Sequence, residues 1–384
     1  MMDKNENRPG KYDLADILRV NKQGFFWRYD LFEQQKKAYH DICACRTSEL
    51  NGHICFCDSC DYQRQAYNSC RNKHCPKCQF TKQAQWVDKL QSRLLDCKHF
   101  HLVLTIPHQL NQLFYLNQTR LYNALFQSAW EAVSKAANNP KFLGAQTGAV
   151  AVLHTWTQTL NQHPHIHMMI PSGGLSDDQM EWLPCRNAFF APKKVISRLF
   201  RGILCHRINQ SIERCQLNIP DNFQWKELKK ALYKINWNVN IEKPMSGAHG
   251  VVKYLGKYTH KVAISNTRIT EVAHGKVAFR YKDRNRTVSK IMQLEVLEFI
   301  RRFMLHILPN NFYKIRYYGI LASANSQTKK QQIIALMETC VIIPEYEGLP
   351  AIDVYSLITG KDISKCPKCR KGRILCRALP GPET

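Results

Sequence analysis

The chain has 384 residues and a large excess of positive charge. Its 55 lysines and arginines outweigh 30 aspartates and glutamates, which gives a formal net charge of +25, and 44% of its residues are hydrophobic. This length predicts two or three domains with a real core, and the charge favours a polyanionic partner, nucleic acid before membrane. Because no apolar run suits a transmembrane helix and no apolar signal region opens the chain, we expect a cytoplasmic protein. In that compartment, 16 cysteines indicate metal sites rather than disulfides.

An N-terminal unit combines two predicted helices with a dense group of cysteines. The patterns of residues 12–18 and 32–44 are helical, and eight cysteines lie within residues 43–78. Two Cys-x2-Cys pairs separated by 14 residues have a spacing close to that of a four-thiolate zinc site. Such a site is closed and structural. The predicted zinc ligands are Cys57, Cys60, Cys75 and Cys78.

Two further residues keep the choice of ligands open. Cys70 and His74 could each replace one of these ligands, or they could complete a second site with Cys55 or His53. The module could bind DNA or could simply hold the protein together, and the residues do not separate these roles. Its interleaved basic side chains suit contacts with phosphates: they are Arg64, Arg71, Lys73, Lys77 and Lys82.

A second unit alternates predicted strands and helices. Residues 99–107 and 148–156 have strand patterns, and the second of these leads directly into a further strand, which predicts an antiparallel hairpin. This order indicates an α+β domain whose helices pack against a largely antiparallel sheet. The other predicted elements are one strand and three helices, at residues 237–241, 111–138, 195–213 and 225–235.

The second strand of that hairpin carries two alternating histidines. Pro164 cannot donate a ladder hydrogen bond, so it suits the first residue of the strand. His165 and His167 then share one face, because successive side chains of a strand point to opposite faces. Two imidazoles placed in this way could grip a divalent metal ion. A third protein ligand is expected, and it stays open among His154, His163 and His260.

A His-x-His pattern is weak evidence when it stands by itself. Such pairs are typical of polar surface loops, and His99 and His101 form one with the same composition on the first strand of the unit. Those two side chains could face the sheet or the solvent. The assignment of a metal site to the later pair therefore depends on a second feature further along the chain.

Two tyrosines one helical turn apart supply that feature. Residues 246–254 have the pattern of a capped helix, and Tyr254 and Tyr258 stand four residues apart, which places both phenols on one helical face. Such a pair alone is more typical of a core. A tyrosine is a weak nucleophile at neutral pH because its pKa is about 10, and cations at Lys253 and Lys257 would favour the phenolate.

Almost half of the positive excess of the chain lies in residues 253–330. They contain 16 Lys and Arg against 4 Asp and Glu, a net charge of +12. Tyrosine rings interleave with these cations, and bases of single-stranded DNA stack on such rings while cations follow the backbone. A solvated sheet face with core aromatics would look similar. The candidate DNA contacts are Lys253, Lys257, Lys261, Arg280, Tyr281, Lys282, Arg316 and Tyr317.

The C-terminal segment adds one more cysteine pair. Cys366 and Cys369 form a Cys-x2-Cys, and Cys376 follows. One such pair offers only two ligands, whereas zinc in a structural site takes four. The pair could be half of a zinc site shared with Cys376 or with another chain, or it could be two free thiols.

These motifs together resemble the two-tyrosine HUH rolling-circle transposases of the insertion-sequence-ninety-one type. The resemblance covers roughly residues 12–325, in the order expected for the family. It includes the zinc motif, the metal strand, the tyrosine helix and two later blocks: residues 70–78, 163–167, 254–266, 279–283 and 315–319.

The resemblance implies a fold, a chemistry and a set of partners. It implies the ferredoxin-like palm of HUH nucleases, with Tyr254 and Tyr258 as nucleophiles and His165 and His167 on a Mg²⁺ or Mn²⁺ ion, beside Zn²⁺ in the N-terminal module. It implies a 5′-phosphotyrosine intermediate, single-stranded DNA at element ends, target DNA and a nucleoid-associated bacterial location. Unwinding would be left to host replication or helicase proteins.

The resemblance also gives boundaries and two competing functions. Residues 1–95 would form the helical and zinc-binding unit, residues 96–330 the catalytic domain and residues 331–384 a C-terminal tail. A rolling-circle replication initiator would use the same signature, but the cysteine-rich front and the blocks after Tyr258 favour a transposase. A non-catalytic zinc DNA-binding protein is the alternative from another class, and it leaves the histidine strand and the paired tyrosines unexplained.

Overall fold

The computed structural model describes residues 11–78, 80–185, 191–245, 247, 250–251, 263–282, 288–325 and 328–379. The chain opens with three short helices, a β-hairpin and a longer helix. Asp13 caps the first helix, because its carboxylate accepts a 3.0 Å hydrogen bond from the Ala15 amide. These elements are α1 (Leu14–Val20), α2 (Lys22–Arg28), α3 (Glu33–Ala44), β1 (Gly52–Cys57), β2 (Gln63–Tyr67) and α4 (Phe80–Arg93).

The middle of the chain supplies most of the main sheet and its covering helices. Its strands and helices follow one another in groups, with four consecutive strands between two pairs of helices. The elements are β3 (His99–Thr105), α5 (Asn111–Leu116), α6 (Gln118–Ala137), β4 (Gly148–Trp156), β5 (Gln162–Pro171), β6 (Gly173–Leu175), β7 (Trp182–Pro184), α7 (Lys193–Glu213), α8 (Trp225–Lys234) and β8 (Val239–Met245).

The last part of the chain contributes strands to three different sheets. One of its strands joins the main sheet, three form a sheet of their own, and the final strand pairs with β1 near the N-terminus. The elements are β9 (Ile269–Ala273), β10 (Lys276–Lys282), β11 (Ser289–Glu295), α9 (Val296–Met304), β12 (Ile315–Gly319), α10 (Lys329–Leu336), α11 (Ala351–Thr359) and β13 (Ile374–Ala378).

The main sheet has five strands in the order β12-β4-β5-β3-β8, with every neighbouring pair antiparallel. The predicted hairpin of β4 and β5 is confirmed, and β5 is the central strand of the sheet. Helices α6 and α7 pack together and against this sheet. The predicted α+β class, with helices on an antiparallel sheet and a separate cysteine-rich region, is therefore confirmed.

The two faces of the sheet differ in chemistry. One face buries apolar side chains beneath α6 and α7, among them Leu102, Ile166 and Met168. The other face carries a row of histidines in its middle, and Val150 and Met169 are buried beside them in a second apolar cluster. A third cluster joins α1 and α3 to β10 and α9. The histidines thus lie on a rigid, largely buried surface.

Three details of the predicted elements are wrong. The predicted helix at residues 111–138 breaks at Asn117, whose φ and ψ are −127° and 40°. Its side-chain amide donates to the carbonyls of Leu113 (2.9 Å) and Asn218 (2.8 Å), so one local and one tertiary hydrogen bond stabilise the break. The strand predicted at residues 237–241 begins later, at Val239. The third detail concerns the start of β5.

Strand β5 begins two residues before Pro164, at Gln162, although the proline was expected to be first. Pro164 lies beyond the pairing with β3, which ends at Thr105 opposite His165. On its other side the ladder with β4 has a register shift between His154 and Trp156. No ladder hydrogen bond is demanded of the proline nitrogen at this irregular position, so the strand tolerates it.

None of the helices in the described residues combines the length and the apolar character that crossing a bilayer requires.

Candidate functional site

Three histidines meet on the inner strands of the main sheet. His165 and His167 share one face of β5, as predicted, and His154 lies directly opposite His165 on β4. The possible ligand atoms of the three side chains all lie within 4.8 Å of one another. The imidazole of His154 is 4.5 Å from that of His167, measured between ring centroids. Of the three candidates for a third ligand, the structure therefore brings His154 to the pair.

The structure does not bring His163 into this group, and it does not describe His260. The backbone carbonyl of His163 accepts a hydrogen bond from His165, and the His163 ring lies 5.3 Å from that of His165 without joining the cluster of ligand atoms in the described residues. His260 lies outside the described residues. Sheet register explains the result, because a residue paired across a ladder points to the same face as its partner.

Hydrogen bonds orient two of the three imidazoles. His165 Nδ1 lies 2.5 Å from the carbonyl oxygen of His163, so Nδ1–H donates and Nε2 carries the lone pair. His167 Nδ1 lies 2.8 Å from His101 Nε2, and the two rings are stacked 10° from parallel. His101 Nδ1 in turn lies 2.9 Å from a carboxylate oxygen of Glu242.

The carboxylate fixes the direction of this chain of hydrogen bonds. The Glu242 carboxylate oxygen lies 2.9 Å from His101 Nδ1, which favours a proton on that nitrogen; His101 then accepts at Nε2, and His167 donates from Nδ1. His167 then carries its lone pair on Nε2, as His165 does. A buried imidazole held by a second imidazole and a carboxylate matches the way proteins orient metal-ligating histidines.

The predictions did not assign these two supporting residues. His101 belongs to the His-x-His of β3 that had been given no role, and Glu242 lies in β8. Both were hidden because the contacts join strands that are far apart in sequence; His101 and His167, for example, are 66 positions apart. The alternation of His99 and His101 on a strand that pairs with β5 is the one signal that could have indicated them.

Burial keeps the His165 imidazole neutral. It lowers the pKa of His165 to about 4, because a charged imidazole loses its hydration inside the protein. His154 and His167 are 4% and 5% exposed. Neutral imidazoles are the form that binds metal ions. The donor set of three nitrogens fits a transition metal such as Mn²⁺ better than Mg²⁺, which prefers oxygen.

The predicted nucleophiles and three cations lie outside the described residues. These are Tyr254, Tyr258, Lys253, Lys257 and Lys261. The nearest described residue before them, Val251, is fully buried. It belongs to the apolar cluster that contains Val150, Val152 and Met169 on the histidine face of the sheet.

The predicted single zinc site of Cys57, Cys60, Cys75 and Cys78 is wrong in its grouping. The structure divides the two pairs between two separate groups of four thiols. The reason is the hairpin of β1 and β2: the first pair lies at its turn, and the second pair belongs with residues at its open end. A strand of six residues spans about 20 Å, so the two pairs cannot share one ion.

The first group contains Cys45, Cys70, Cys75 and Cys78. Three of its sulfur–sulfur distances are 3.3 to 3.7 Å, close to the edge of about 3.8 Å of a tetrahedron with 2.3 Å zinc–sulfur bonds. Cys70, an alternate in the prediction, is thus one of the four. Cys45 was missed because it lies at the end of α3, 25 residues before Cys70, without a Cys-x2-Cys partner.

The other cysteine and histidine alternatives are also placed. The Nε2 atom of His74 accepts a 3.2 Å hydrogen bond from the Leu308 amide, and His74 is not part of either group of four thiols. His53 and Cys55 come together with Cys376 on the paired strands β1 and β13, rather than with Cys70. The second group of four thiols joins Cys57 and Cys60 to Cys366 and Cys369.

The remaining predicted DNA contacts lie on two different sheets. Arg280, Tyr281 and Lys282 end strand β10, where Arg280 and Lys282 are exposed. The Arg280 guanidinium donates to the carbonyl of Thr267 at 3.0 Å. This strand end is therefore an accessible basic surface with one aromatic ring between two cations.

Arg316 and Tyr317 are neighbours on β12 and so point to opposite faces of the main sheet. The Arg316 guanidinium lies 4.2 Å above the Phe126 ring and donates to the side chain of Asn123, both on α6. These contacts place it on the face away from the histidines. Tyr317 is on the histidine face, with the Arg93 guanidinium 4.6 Å from its ring centroid.

A basic chain of this fold, with clustered thiols and a buried trio of imidazoles, has the features of a metal-binding protein that processes DNA. Comparison with known families and proteins makes the assignment specific. A family model described as "Putative transposase" matches residues 148–330. A second, described as "Transposase zinc-binding domain", matches residues 17–106.

Two relatives match over most of the chain. One is the "Putative transposase y4qJ" of Sinorhizobium fredii (strain NBRC 101917 / NGR234), which is 37% identical over 374 residues and covers 94% of each chain. Another is the "Transposase for insertion sequence element IS801" of Pseudomonas savastanoi pv. phaseolicola, 31% identical over 290 residues, which are 73% of this chain and 68% of the relative. No solved structure matches the chain.

The chain belongs to the IS91-type transposases. It is therefore an enzyme of the class that cleaves DNA and transfers strands, and its N-terminal module is a transposase zinc-binding domain. This family assignment agrees with the resemblance drawn from the motifs of the sequence.

Proposed function

We propose that this transposase nicks and rejoins single-stranded DNA at the ends of its element through a covalent phosphotyrosine, as an HUH-type enzyme. The observation that carries the proposal is the trio of His154, His165 and His167. Its ligand atoms lie within 4.8 Å of one another, and hydrogen bonds on Nδ1 direct the lone pairs of His165 and His167 to Nε2. This arrangement on the central strands of the main sheet supports a metal site there.

The three imidazoles would hold a divalent ion, Mn²⁺ before Mg²⁺ because all three donors are nitrogen. A bound ion would polarise a non-bridging oxygen of the scissile phosphate. The contribution of the protein is to hold the donors rigid and neutral in a buried site. His101 and Glu242 keep the His167 ring in one orientation.

Tyr254 and Tyr258 are the proposed nucleophiles. The phenolate oxygen attacks the phosphorus, the bond from phosphorus to the 3′ oxygen breaks, and that oxygen leaves and takes up a proton. The product is a tyrosine joined to the 5′-phosphate of one strand and a free 3′-hydroxyl on the other. The new bond is still a phosphodiester, so rejoining to the same or another 3′-hydroxyl needs no nucleotide triphosphate.

Two features support tyrosines that lie near the histidines. Val251 is buried in the apolar cluster on the histidine face, and Tyr254 follows it by only three residues. Three residues of any conformation span at most about 11 Å, so Tyr254 is within reach of the histidine face from this anchor. Arg93 and Tyr317 lie on the same face at the β12 edge, where a cation over a ring suits a nucleotide.

Two nucleophiles on one helical face would let the enzyme hold one strand while it cleaves a second. Strand exchange of this kind is the chemistry of rolling-circle transposition. We assign residues 96–330 to this catalytic domain, residues 1–95 to the zinc-binding unit and residues 331–384 to a C-terminal segment. Arg280, Tyr281 and Lys282 are proposed to contact the DNA strand. Separation of the strands is left to host replication or helicase proteins.

The test uses labelled single-stranded DNA from the ends of the element, purified protein and Mn²⁺. We expect the wild-type protein to form a complex that survives denaturing electrophoresis, together with a cut strand. His165→Ala should abolish cutting while DNA binding stays within a few-fold of the wild type. Full cutting by this variant would refute the metal assignment.

The matched control for His165→Ala is a variant that loses the same kind of side chain from the same strand. His163→Ala changes a histidine two residues away on the same strand that lies outside the group of three. The backbone carbonyl that accepts from His165 is kept in this variant. It should cut at close to the wild-type rate. Equal loss in both variants would instead indicate damage to β5.

A further inference from the structure

Four thiols from opposite ends of the chain come together beside the zinc-binding module. Cys57 and Cys60 lie at the turn of the β1–β2 hairpin, and Cys366 and Cys369 lie just before β13. Their sulfur atoms are all within 4.8 Å of one another. More than 300 residues separate the two pairs in sequence, so only tertiary structure could bring them to one point.

The distances fit a metal ion and exclude disulfides. Sulfur to sulfur, Cys57 is 3.7 Å from Cys369, and Cys60 is 3.7 Å from Cys366. A tetrahedral zinc ion with 2.3 Å bonds to sulfur requires edges of about 3.8 Å. A disulfide would require about 2.05 Å. All four cysteines are free.

Both pairs lie in tight loops that aim backbone amides at sulfur. The Ser59 amide donates to Cys57 Sγ, and the Gly372 amide donates to Cys369 Sγ, each at 3.3 Å. Such hydrogen bonds favour the thiolate, which is the form that binds metal ions. Both hydrogen bonds lie within the loops that carry the cysteines, so the fold of each loop places its amide at the sulfur.

Gly372 leaves no room for a side chain. A Cβ placed there would come within 2.5 Å of the Asp58 carboxylate oxygen and closer still to Cys57 Sγ. The two loops are also tied to each other by backbone hydrogen bonds, since the Asp58 amide donates to the Arg373 carbonyl at 3.1 Å and the Arg373 amide returns to the Asp58 side chain at 2.9 Å. The four thiols are therefore held by a built site.

We propose that Cys57, Cys60, Cys366 and Cys369 bind a second structural zinc ion, which fastens the C-terminal segment to the N-terminal module. This site, the zinc clasp, is distinct from the group of Cys45, Cys70, Cys75 and Cys78. The zinc-binding family match ends at residue 106 and so includes only one of its two pairs. The proposal is independent of the catalytic function argued above.

The segment that precedes Cys366, and that the zinc clasp would hold in place, packs along α4. The Asp88 carboxylate accepts from the Glu345 and Tyr346 amides at 2.9 and 2.7 Å, Lys89 pairs with Glu347 at 2.9 Å, and the rings of Phe80 and Tyr355 are 6.0 Å apart. Helix α4 connects the zinc-binding module to β3 of the catalytic sheet. The zinc clasp would fix the C-terminal end of this segment to the N-terminal module, because β13 follows Cys369 and pairs with β1 directly beside the four cysteines.

Zinc counting tests whether both pairs share one ion. Native mass spectrometry of the full-length protein would count bound zinc in the wild type, in Cys57→Ser/Cys60→Ser, in Cys366→Ser/Cys369→Ser and in the variant with all four changes. Each double variant should hold one zinc fewer than the wild type. The fourfold variant should also lose only one, because the pairs serve the same ion. Cys215→Ser/Cys340→Ser changes two exposed cysteines and should lose none.

Several results would overturn the clasp. Unchanged zinc in Cys366→Ser/Cys369→Ser would remove the C-terminal pair from any zinc site. A loss of two zinc ions in the fourfold variant, one for each pair, would mean two separate sites.

Thiol reactivity of the wild type covers the case in which a variant does not fold. Brief alkylation followed by peptide mapping should modify Cys340 at once and leave all four clasp cysteines protected. A chelator should release the four together. Rapid alkylation of Cys366 and Cys369 in the zinc-loaded protein, while Cys75 and Cys78 stay protected, would contradict the proposal.

Discussion

Removing the His101 imidazole should weaken metal binding at the histidine site although His101 is not itself a ligand. Its Nε2 lies 2.8 Å from His167 Nδ1, and its Nδ1 lies 2.9 Å from the Glu242 carboxylate. Without this support, His167 loses the partner that fixes its ring and its tautomer. The perturbation of choice is His101→Gln, which keeps much of the volume in a fully buried position.

The size of the effect follows from the contacts. Loss of a hydrogen-bonding partner of a metal-bound histidine lowers metal affinity about 10- to 100-fold. This range corresponds to about 1.4 to 2.7 kcal/mol. Glu242→Gln keeps an oxygen that can accept from His101 but removes the charge, so its effect should be smaller than that of His101→Gln.

Two measurements would separate affinity from chemistry. Electron paramagnetic resonance would give the Mn²⁺ affinity directly, and cleavage of single-stranded DNA would be followed over a wide range of Mn²⁺ concentrations. His101→Gln should need about 10 to 100 times more Mn²⁺ for half-maximal rate. Its rate at saturating Mn²⁺ should stay within a few-fold of the wild type, because the three proposed ligands are intact.

The control is His99→Gln, on the same strand and equally buried. His99 Nδ1 lies 2.9 Å from the Cys97 carbonyl oxygen, away from the three-histidine group. It should leave the Mn²⁺ requirement unchanged. The reasoning would be refuted if folded His101→Gln bound Mn²⁺ as tightly as the wild type, or if no concentration of Mn²⁺ restored its rate.

Three further predictions concern stability and DNA binding. Gly319→Ala should destabilise the protein by more than about 2 kcal/mol in denaturant unfolding, because φ is +58° and a Cβ would overlap the Trp130 ring and the Thr147 carbonyl. The control is Gly348→Ala, where φ is also positive but a Cβ would lie in open space. It should destabilise the protein by about 1 kcal/mol. Burial lowers the pKa of His306 to about 4, so the unfolded chain binds a proton at a higher pH than the folded protein does. Between pH 7.5 and pH 6, this residue should therefore lower the free energy of unfolding by about 1 kcal/mol. In His306→Gln the free energy of unfolding should depend less steeply on pH. Lys282→Ala should weaken binding of single strands of any sequence and reduce the slope of log affinity against log salt by about 0.7, whereas an unchanged slope would exclude a phosphate contact there.

The sequence predicted the parts of the site that depend on local order. Alternation on a strand placed His165 and His167 on one face, and the hairpin followed from two adjacent strand patterns. His154 could be named as a candidate but not chosen, because the choice depends on the register of the hairpin. His101 and Glu242 required knowledge of which strands are neighbours in the sheet.

The zinc ligands show the same limit more sharply. The spacing of Cys57-x2-Cys60 and Cys75-x2-Cys78 predicted one group of metal-binding thiols, yet the structure places the two pairs in different groups of four. The partners come from Cys45 at a helix end and from a segment about 300 residues later, and spacing along the chain carries no information on such contacts. Arg316 illustrates a third case: a basic residue in a basic segment packs on Phe126 instead of facing the histidine site.

The most direct test of the account is to identify the residue that carries the DNA. After reaction with single-stranded element ends and Mn²⁺, the trapped protein would be digested with protease and nuclease, and the modified peptide sequenced by mass spectrometry. We predict a nucleotide joined through its 5′-phosphate to Tyr254 or Tyr258, and no such peptide from Tyr254→Phe/Tyr258→Phe or His165→Ala. A nucleotide on any other residue, or an adduct that persists in the double tyrosine variant, would contradict the central claim.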